Sequence, residues 1–232
     1  TTIRHLLTHT SGLRPDVDLT FAWSGYDEAI RLACEEIPLA APDARFVYSD
    51  INFFVLGDVV RRVSGLPLDQ FAKTRVFEPL GMIDTTFNPP ESVRGRIAPT
   101  EACSPGDTSC GASAAMLRGI VHDPTARRMG GVAGHAGLFT TAADLSRFAG
   151  MLLGGGQLGG GPRVLSPMTV ARMTSPAPPS ALVSVRGLGW DMDSAYSSNR
   201  GELMRPGSFG HTGFTGTSIW VDPQSDLFVV FL

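Results

Sequence analysis

The C-terminal part of the chain constrains the fold most strongly, because its apolar residues come in short runs bounded by turn residues. Residues 209–211, 217–221 and 227–232 are three such runs, and the cluster Asp222-Pro-Gln-Ser-Asp226 separates the last two. Short apolar runs with these boundaries are typical of β-strands. We therefore predict an antiparallel hairpin at the C-terminal end, with residues 188–190 as a further strand.

Two segments nearer the N-terminus have the spacing of amphipathic helices. Apolar residues recur at helical intervals in residues 26–37 and, more regularly, in residues 50–63, where the apolar stripe includes Val63. The second segment stops at Gly65, and Pro67 follows at a position that favours the first turn of another helix. This pattern predicts two consecutive helices with a glycine stop between them.

Two further helix starts complete the pattern. Thr141-Ala-Ala-Asp144 resembles a capping box, and Ser166-Pro167 opens a short helix. A helical body followed by an antiparallel sheet predicts an α+β fold in which helices flank the sheet. We treat residues 1–232 as one domain, with a mainly helical and loop-rich part at 1–180 and a sheet part at 181–232.

The composition is that of a globular protein with a substantial core and little charge bias. Of the 232 residues, 43% are hydrophobic, and the formal net charge is −3. Nucleic-acid binding would need clustered basic residues, and a bilayer span would need a longer apolar run, so we expect neither. The chain begins at Thr1 without Met and ends inside an apolar run at Leu232. We therefore expect truncation at both ends.

The three cysteines do not form a disulfide framework. Cys103 and Cys110 flank a short polar loop; in an exported protein they would pair, and otherwise they are free thiols. The sequence leaves both alternatives open. The Cys-x-x-Cys spacing of many zinc sites is absent.

Two histidine patterns and one Ser-x-Asn match give only weak support for a functional site. His5 and His9 are four positions apart, but a zincin also needs Glu directly after the first His, and this chain has Leu there, so a capped helix end is favoured. A dyad of His122 and Asp123 is disfavoured, because adjacent side chains rarely point at each other. The Ser-x-Asn match at residues 197–199 lies in a polar loop and is short. We predict no metal site.

Tyr48-Ser-Asp50 precedes the stronger helical segment and has two readings. In the structural reading, Tyr48 is a core or rim residue at a helix entry. In the functional reading, its phenol exchanges a proton with a nucleophile. That role needs a pKa well below the ordinary value of about 10, and therefore cationic neighbours.

A glycine-rich segment at residues 210–216 leads into a predicted strand and also has two readings. Its glycines let a ligand or another backbone approach closely, its N–H groups could hold an oxyanion, and His211 could supply a proton or a pH-dependent charge. The alternative is a glycine-rich hairpin end in which the histidine has no function.

The order and spacing of the motifs say more than each motif alone. The chain resembles the β-lactamase-related serine hydrolases, which include class C β-lactamases, DD-peptidases, D-aminopeptidases and esterases, and the resemblance covers essentially the whole chain. It rests on Leu6-Leu-Thr-His-Thr-Ser-Gly-Leu13, Tyr48-Ser-Asp50, Phe77-Glu-Pro-Leu-Gly-Met82, Gly134-His-Ala-Gly-Leu-Phe139 and His211-Thr-Gly213.

The resemblance implies a cleft between the helical part and the sheet, with no cofactor. It assigns Tyr48 as the phenol that helps to activate a serine and protonates the leaving group, and His211 as the second catalytic residue on the opposite wall. The Phe214 N–H would be one oxyanion-hole donor. The implied substrate-binding residues are Asp50, Thr212, Gly213 and Phe214.

Two departures from the family pattern indicate an esterase or peptidase rather than a lactamase. Asp50 stands where Asn is commonest; when ionised it cannot donate a hydrogen bond, and it raises the pKa of Tyr48. His211 stands where lactamases have Lys, and we expect it to be partly charged near neutral pH. The expected substrate is a small-molecule ester, amide or peptide, hydrolysed through an acyl-enzyme.

The family's Ser-x-x-Lys nucleophile motif is absent from the chain. Lys73 is the only lysine, and Gln70 stands three positions before it. The family places the motif upstream of Leu6, so we expect the nucleophile to lie outside this chain and the fragment alone to be inactive. A periplasmic or secreted location is favoured over the cytoplasm. The alternative is a non-catalytic relative that binds peptidoglycan fragments or a protein partner.

Overall fold

The computed structural model describes residues 1–103, 116–177 and 184–232. Within these ranges, no helix combines the length and apolar character needed to cross a membrane. The α-helices are α1 (Ile3–Leu7), α2 (Tyr26–Glu35), α3 (Asp50–Ser64), α4 (Leu68–Ala72), α5 (Glu78–Leu80), α6 (Pro124–Arg128), α7 (Ala142–Leu153) and α8 (Pro167–Met173). A π-helical turn spans Lys73–Phe77, and 3-10 turns span Glu91–Arg96 and Ser198–Arg200.

The strands form one larger sheet and two short pairs. Strands β5 (Val185–Arg186), β6 (Asp191–Asp193), β7 (Phe209–Thr212), β8 (Ser218–Asp222) and β9 (Leu227–Phe231) follow one another in an antiparallel five-stranded sheet. The short strands are β1 (Thr86–Phe87) with β4 (Leu138–Phe139), and β2 (Glu101–Ala102) with β3 (Met116–Leu117). The predicted α+β class and the C-terminal hairpin are confirmed.

The predicted strand at residues 188–190 is wrong. Leu188 and Gly189 lie in the link between β5 and β6, and Gly189 has a φ of 82°, which is incompatible with a strand. Their N–H groups donate to Met173 O and Leu7 O, at 2.8 and 3.0 Å, rather than to a neighbouring strand. The apolar run therefore ties the sheet to the helical part instead of extending the sheet.

Helix α3 matches its predicted extent, but its buried face is only partly the predicted one. The helix ends where Gly65 adopts a left-handed conformation, with a φ of 74°. Ile51 and Phe54 are fully buried, whereas Val63 is 84% exposed. The buried face instead includes Asp58, whose carboxylate is paired with two arginines of the next turn.

Two hydrophobic clusters form the core. The first joins α1, α2, α3 and α6, with Phe54 and Ile51 at its centre. The second packs α5, α7 and α8 against the sheet through Met151, Trp190 and Phe209. Gly134 brings its loop against α3, since a Cβ there would lie 2.0 Å from Phe53 O. The backbones of this loop and of α3 are therefore tightly packed at Gly134.

Helices α4 and α5 flank the π-helical turn without a break. Lys73 begins this turn and is exposed to solvent. The turn accommodates one extra residue per turn relative to an α-helix, so it changes which side chains face inward on either side of it. Phe77 and Leu80, after the turn, are buried in the second cluster.

Of the cysteines, Cys34 is a free and exposed thiol. Cys110 lies outside the described residues. Cys103 is disulfide-bonded, so the alternative of a free thiol is wrong for this residue.

The start of α7 gives a test of the capping prediction. The Thr141 hydroxyl accepts from Asp144 N at 3.2 Å, but the Asp144 carboxylate accepts from Asp84 N and from the Thr85 hydroxyl instead of closing the box. We expect Thr141→Ala to lower the free energy of unfolding by about 1 kcal/mol. Urea unfolding measures the loss, with Ser146→Ala on the same helix as the control. Equal stability of the two variants would contradict the capping role.

Candidate active site

The structure brings Tyr48 and His211 together, as the sequence predicts. Their ring centroids are 6.2 Å apart. Tyr48 is half-buried, directly before α3, and His211 lies on β7, the central strand of the sheet. The Tyr48 ring also stacks on His9 at 4.3 Å and contacts Tyr196 at 5.0 Å. The phenol therefore lies where the helical part meets the sheet.

Backbone hydrogen bonds to the residues after α1 fix the position of Tyr48. Ser49 N donates to His9 Nδ1 at 3.0 Å, and Asp50 N donates to Pro15 O at 2.7 Å. The Ser49 hydroxyl donates to Arg14 O at 2.6 Å. These contacts hold the two residues that follow the tyrosine, so its backbone can move little relative to the start of α3.

His9 is a site residue that sequence reasoning assigned only to a helix end. It is 1% exposed and has a φ of 56°, a conformation that residues other than glycine rarely adopt. Its Nδ1 accepts from Ser49 N, so the proton of the neutral ring is on Nε2. Burial, the largest cause, lowers the pKa of His9 to about 2. The uncharged ring of His9 therefore stacks against the ring of Tyr48.

The alternative of a zinc pair is not supported by the contacts of the two histidines. His5 pairs with Asp43 at 3.1 Å and caps α1 through Thr2, so it does not face the same partner as His9. Over residues 1–103, 116–177 and 184–232, no group of His, Cys, Asp and Glu side chains is arranged to hold a metal ion.

The surroundings of Tyr48 oppose its ionisation. Burial and then Asp50 raise the pKa of the phenol to about 12, against a lowering by Arg186. The predicted effect of Asp50 on Tyr48 is therefore confirmed. Near neutral pH the phenol is protonated, so it can give a proton directly, whereas taking one requires stabilisation of the phenolate.

Arg186 is a second site residue that the sequence did not indicate. Its side chain is 1% exposed, and its guanidinium carbon lies 5.8 Å from the centre of the Tyr48 ring and 5.9 Å from that of Phe46. The nearest carboxylate oxygen is that of Asp191, at 3.7 Å. A buried arginine with a single, distant counter-ion places a positive charge beside the candidate catalytic phenol.

His211 differs from the prediction in its charge. Its Nδ1 lies 2.7 Å from Thr212 O; because a carbonyl only accepts, Nδ1 carries the proton and Nε2 is a free acceptor. Burial first, and then Arg186, lower the pKa of His211 below its ordinary value of 6.5. His211 is therefore less charged near neutral pH than an unperturbed histidine, because its charge would be buried next to an arginine.

The turn after β7 carries the predicted substrate-binding residues. Thr212 pairs with Ser218 on β8, and Gly213 N donates to Thr217 O at 2.7 Å. A Cβ on Gly213 would lie 2.2 Å from the Thr217 hydroxyl, so any other residue here would require the Thr217 side chain to move. Phe214 is 95% exposed, and its ring stacks on His122 at 5.5 Å. The roles of these three residues in substrate binding and in an oxyanion hole stay predictions.

Asp50, the first residue of α3, belongs to a group of partly buried carboxylates. Burial, the largest cause, together with Asp123 and Asp16 raises its pKa to about 6, against a lowering by His135. His135 Nε2 lies 2.9 Å from Asp123, and the Thr125 hydroxyl donates to Asp16 at 2.6 Å. Asp50 therefore titrates close to neutral pH, at the entrance of the helix that follows Tyr48.

The other sequence motifs have structural partners. His122 pairs with Glu101 at 3.1 Å while Asp123 pairs with His135, so they form no dyad, as expected. In the Ser-x-Asn match, the Asn199 side chain accepts from Trp220 Nε1 at 2.9 Å. Neither motif is part of the contacts around Tyr48.

The fold and the placement of Tyr48 opposite His211 define the class to which the chain belongs. A β-lactamase from Mycobacterium bovis superimposes with a TM-score of 0.62 and 27% identity, over 99% of this chain and 65% of its own. A penicillin-binding protein homologue from Caulobacter crescentus superimposes with a TM-score of 0.73 and 21% identity, over 100% of this chain and 65% of its own. The second likeness concerns the fold alone.

The sequence comparisons identify the family. The family model described as "Beta-lactamase" matches residues 1–232. A Salmonella schwarzengrund protein named "Putative D-alanyl-D-alanine carboxypeptidase" is 34% identical over 202 residues, which is 82% of this chain and 45% of that protein. The chain belongs to the β-lactamase family of serine hydrolases, which confirms the resemblance. It spans about half the length of the curated relatives it matches.

Proposed function

We propose that the chain belongs to a hydrolase that acts through an acyl-enzyme, and that it supplies one wall of the active-site cleft and the group that transfers protons. Its nucleophilic serine, in a Ser-x-x-Lys motif, lies in a longer polypeptide that includes the segment before Thr1, called here the parent protein. Tyr48 exchanges the proton of the serine and of the leaving group. The observation that carries the proposal is the fixed placement of the Tyr48 phenol 6.2 Å, ring to ring, from His211.

The charge state of His211, on β7, favours an ester as substrate. A lysine at this position would attract a substrate carboxylate, but a neutral imidazole with a free Nε2 accepts a hydrogen bond instead. A substrate with a hydroxyl or amide N–H near the scissile bond fits this wall better than a free carboxylate does. We therefore place small-molecule esters before carboxylate-bearing peptides, and both before β-lactams.

Covalent labelling of the parent protein tests the proposal. A fluorophosphonate is expected to attach to one serine upstream of Thr1, and nitrophenyl acetate is expected to be hydrolysed. Mass spectrometry of the labelled peptide identifies the serine. Labelling within residues 1–232, or no labelling of folded protein, would contradict the proposed location of the nucleophile.

The isolated chain is expected to hydrolyse no ester above the rate of a buffer control. It carries the phenol and the His211 wall, but not the proposed nucleophile. The measurement is nitrophenyl acetate hydrolysis by the purified chain, compared with the same chain carrying Tyr48→Phe. Turnover that depends on Tyr48 would indicate a serine within the chain and would refute the proposal.

A non-catalytic binding protein is the second candidate, and the position of Asp50 favours it. Burial and then the partly buried Asp50 carboxylate raise the pKa of the Tyr48 phenol to about 12, which opposes its action as a base. This candidate predicts that the parent protein binds peptidoglycan fragments, measured by calorimetry, without being labelled by the fluorophosphonate. Labelling at a single serine would exclude it.

A further inference from the structure

Arg186, a buried residue of β5, lies beside the ring of the candidate catalytic phenol. The pairing of β5 with β6 is irregular: Val185 is opposite Asp193, but Arg186 is opposite Asp191, so the register shifts by one residue and the extra residue, Met192, lies on β6. Such irregularities are frequent beside active sites. Arg186 lies at this register shift, and its guanidinium carbon is 5.9 Å from the centre of the Phe46 ring and 5.8 Å from that of the Tyr48 ring.

The charge of Arg186 is poorly compensated by its own neighbours. Its Nε and both Nη atoms are buried and make no hydrogen bond to any described residue. Asp191, at 3.7 Å, is beyond hydrogen-bond distance, and one of its oxygens is held by the Ser194 hydroxyl at 2.8 Å. Buried charges are normally paired and fully hydrogen-bonded. An arginine with only a structural role would therefore be expected to have hydrogen-bond acceptors at shorter distances.

Every other ionisable group that faces Tyr48 either opposes a phenolate or carries no charge. Asp50, Tyr196 and Asp191 all raise the pKa of Tyr48, and Arg186 lowers it. His9 and His211 have lowered pKa values, which favours the neutral form of both rings. Arg186 is thus the positive charge next to the phenol among the described residues.

We propose that Arg186 is a positioning residue that stabilises the Tyr48 phenolate electrostatically, supplying from β5 the positive charge that His211 does not carry on β7. The proposal rests on the proposed acyl-enzyme function. It involves no covalent step of Arg186, because the arginine stays protonated while the proton moves between Tyr48 and the serine or leaving group. It also accounts for a histidine where a lysine is usual, since a charged side chain on β7 would add repulsion to Arg186.

The test is the pH dependence of kcat/KM for nitrophenyl acetate in the parent protein. Arg186→Met is expected to shift the rising limb to higher pH by about one unit and to lower kcat/KM at pH 7 by about tenfold, since a phenolate without its cation forms at higher pH. Arg186→Lys keeps the charge and is expected to stay within about threefold of the wild type.

Two further variants separate charge from structure. Arg186→Met/Asp191→Asn leaves no buried carboxylate without a partner, and it should show the same direction of shift, because Arg186 affects Tyr48 more strongly than Asp191 does. Arg200→Met, on the adjacent 3-10 turn, is the control; its guanidinium bonds to Met192 O and does not contact Tyr48, so its profile should be that of the wild type.

The outcomes distinguish this inference from the proposed function. A wild-type protein that is not labelled by a fluorophosphonate refutes the function and with it the inference. A labelled wild type, together with folded Arg186→Met or double variants whose rising limb is unchanged, overturns the inference alone. A loss that Arg186→Lys does not restore, without any shift in pH dependence, assigns Arg186 a structural role and also overturns it.

Discussion

Replacing Tyr48 with phenylalanine in the parent protein is expected to lower kcat/KM for ester hydrolysis by roughly 10²–10⁴-fold, the range typical of a lost general acid or base. The change removes only the phenolic oxygen. The ring keeps its stacking on His9 at 4.3 Å and its contact with Tyr196, so the fold should be retained. Steady-state kinetics with nitrophenyl acetate measure the loss, and thermal unfolding verifies that the variant is folded.

The chain offers a matched control for this experiment. Tyr26, on α2, is also partly buried, and burial and Asp58 raise its pKa to about 12, but it lies against Arg61 rather than His211. Tyr26→Phe should therefore change kcat/KM by less than about twofold, since it removes a similar phenol away from the candidate site. Similar losses in both variants would show that phenol removal acts through stability, and would contradict a catalytic Tyr48.

Replacing Asp50 with asparagine is expected to stabilise the protein above pH 6 by ~1–2 kcal/mol, after allowance for its partial exposure to solvent. The folded-state pKa of Asp50 is about 6, above its ordinary value of 3.8. Between these two pH values the folded state binds more protons than the unfolded state, so the free energy of unfolding falls as pH rises. Above pH 6 the charged form bears the full cost of burial, and asparagine removes that cost.

The pH dependence makes this prediction specific. Urea unfolding at pH 4 should show little difference between Asp50→Asn and the wild type, and the difference should grow to its full size by pH 7.5. Asp193→Asn removes an exposed carboxylate on β6 and should show no such trend. Because Asp50 raises the pKa of Tyr48, Asp50→Asn should also shift the rising limb of kcat/KM to lower pH, opposite to Arg186→Met. A uniform loss of stability at every pH would refute the account.

Sequence patterns predicted the parts of the fold that depend on local chemistry. Helix α3 with its stop at Gly65, the α8 start at Ser166, and the β8–β9 hairpin all follow from periodicity and turn residues. The motif order identified the family, and it placed Tyr48 and His211 on two sides of one site. These features are encoded by residues close together in the chain.

The features that the sequence did not predict depend on contacts between distant segments. Arg186 lies beside the Tyr48 ring at a register shift between β5 and β6, and no local pattern marks that shift. His9 is part of the site because residues 49 and 52 donate to it from 40 positions or more away. The neutral state of His211 likewise depends on burial and on Arg186, which a single motif does not contain.

The exposed position of Lys73 has a practical consequence for chemical modification. This side chain carries the only ε-amino group of the 232 residues, on a surface turn rather than among the rings and charges around Tyr48. Acylating reagents selective for lysine therefore leave the contacts of Tyr48, His211 and Arg186 chemically unaltered. If a lysine-selective reagent inactivates the parent protein and substrate protects it, the modified amine that matters must be sought outside these residues. Peptide mapping of the protected amine then identifies the residue that carries it, which we expect to be the lysine of the Ser-x-x-Lys motif.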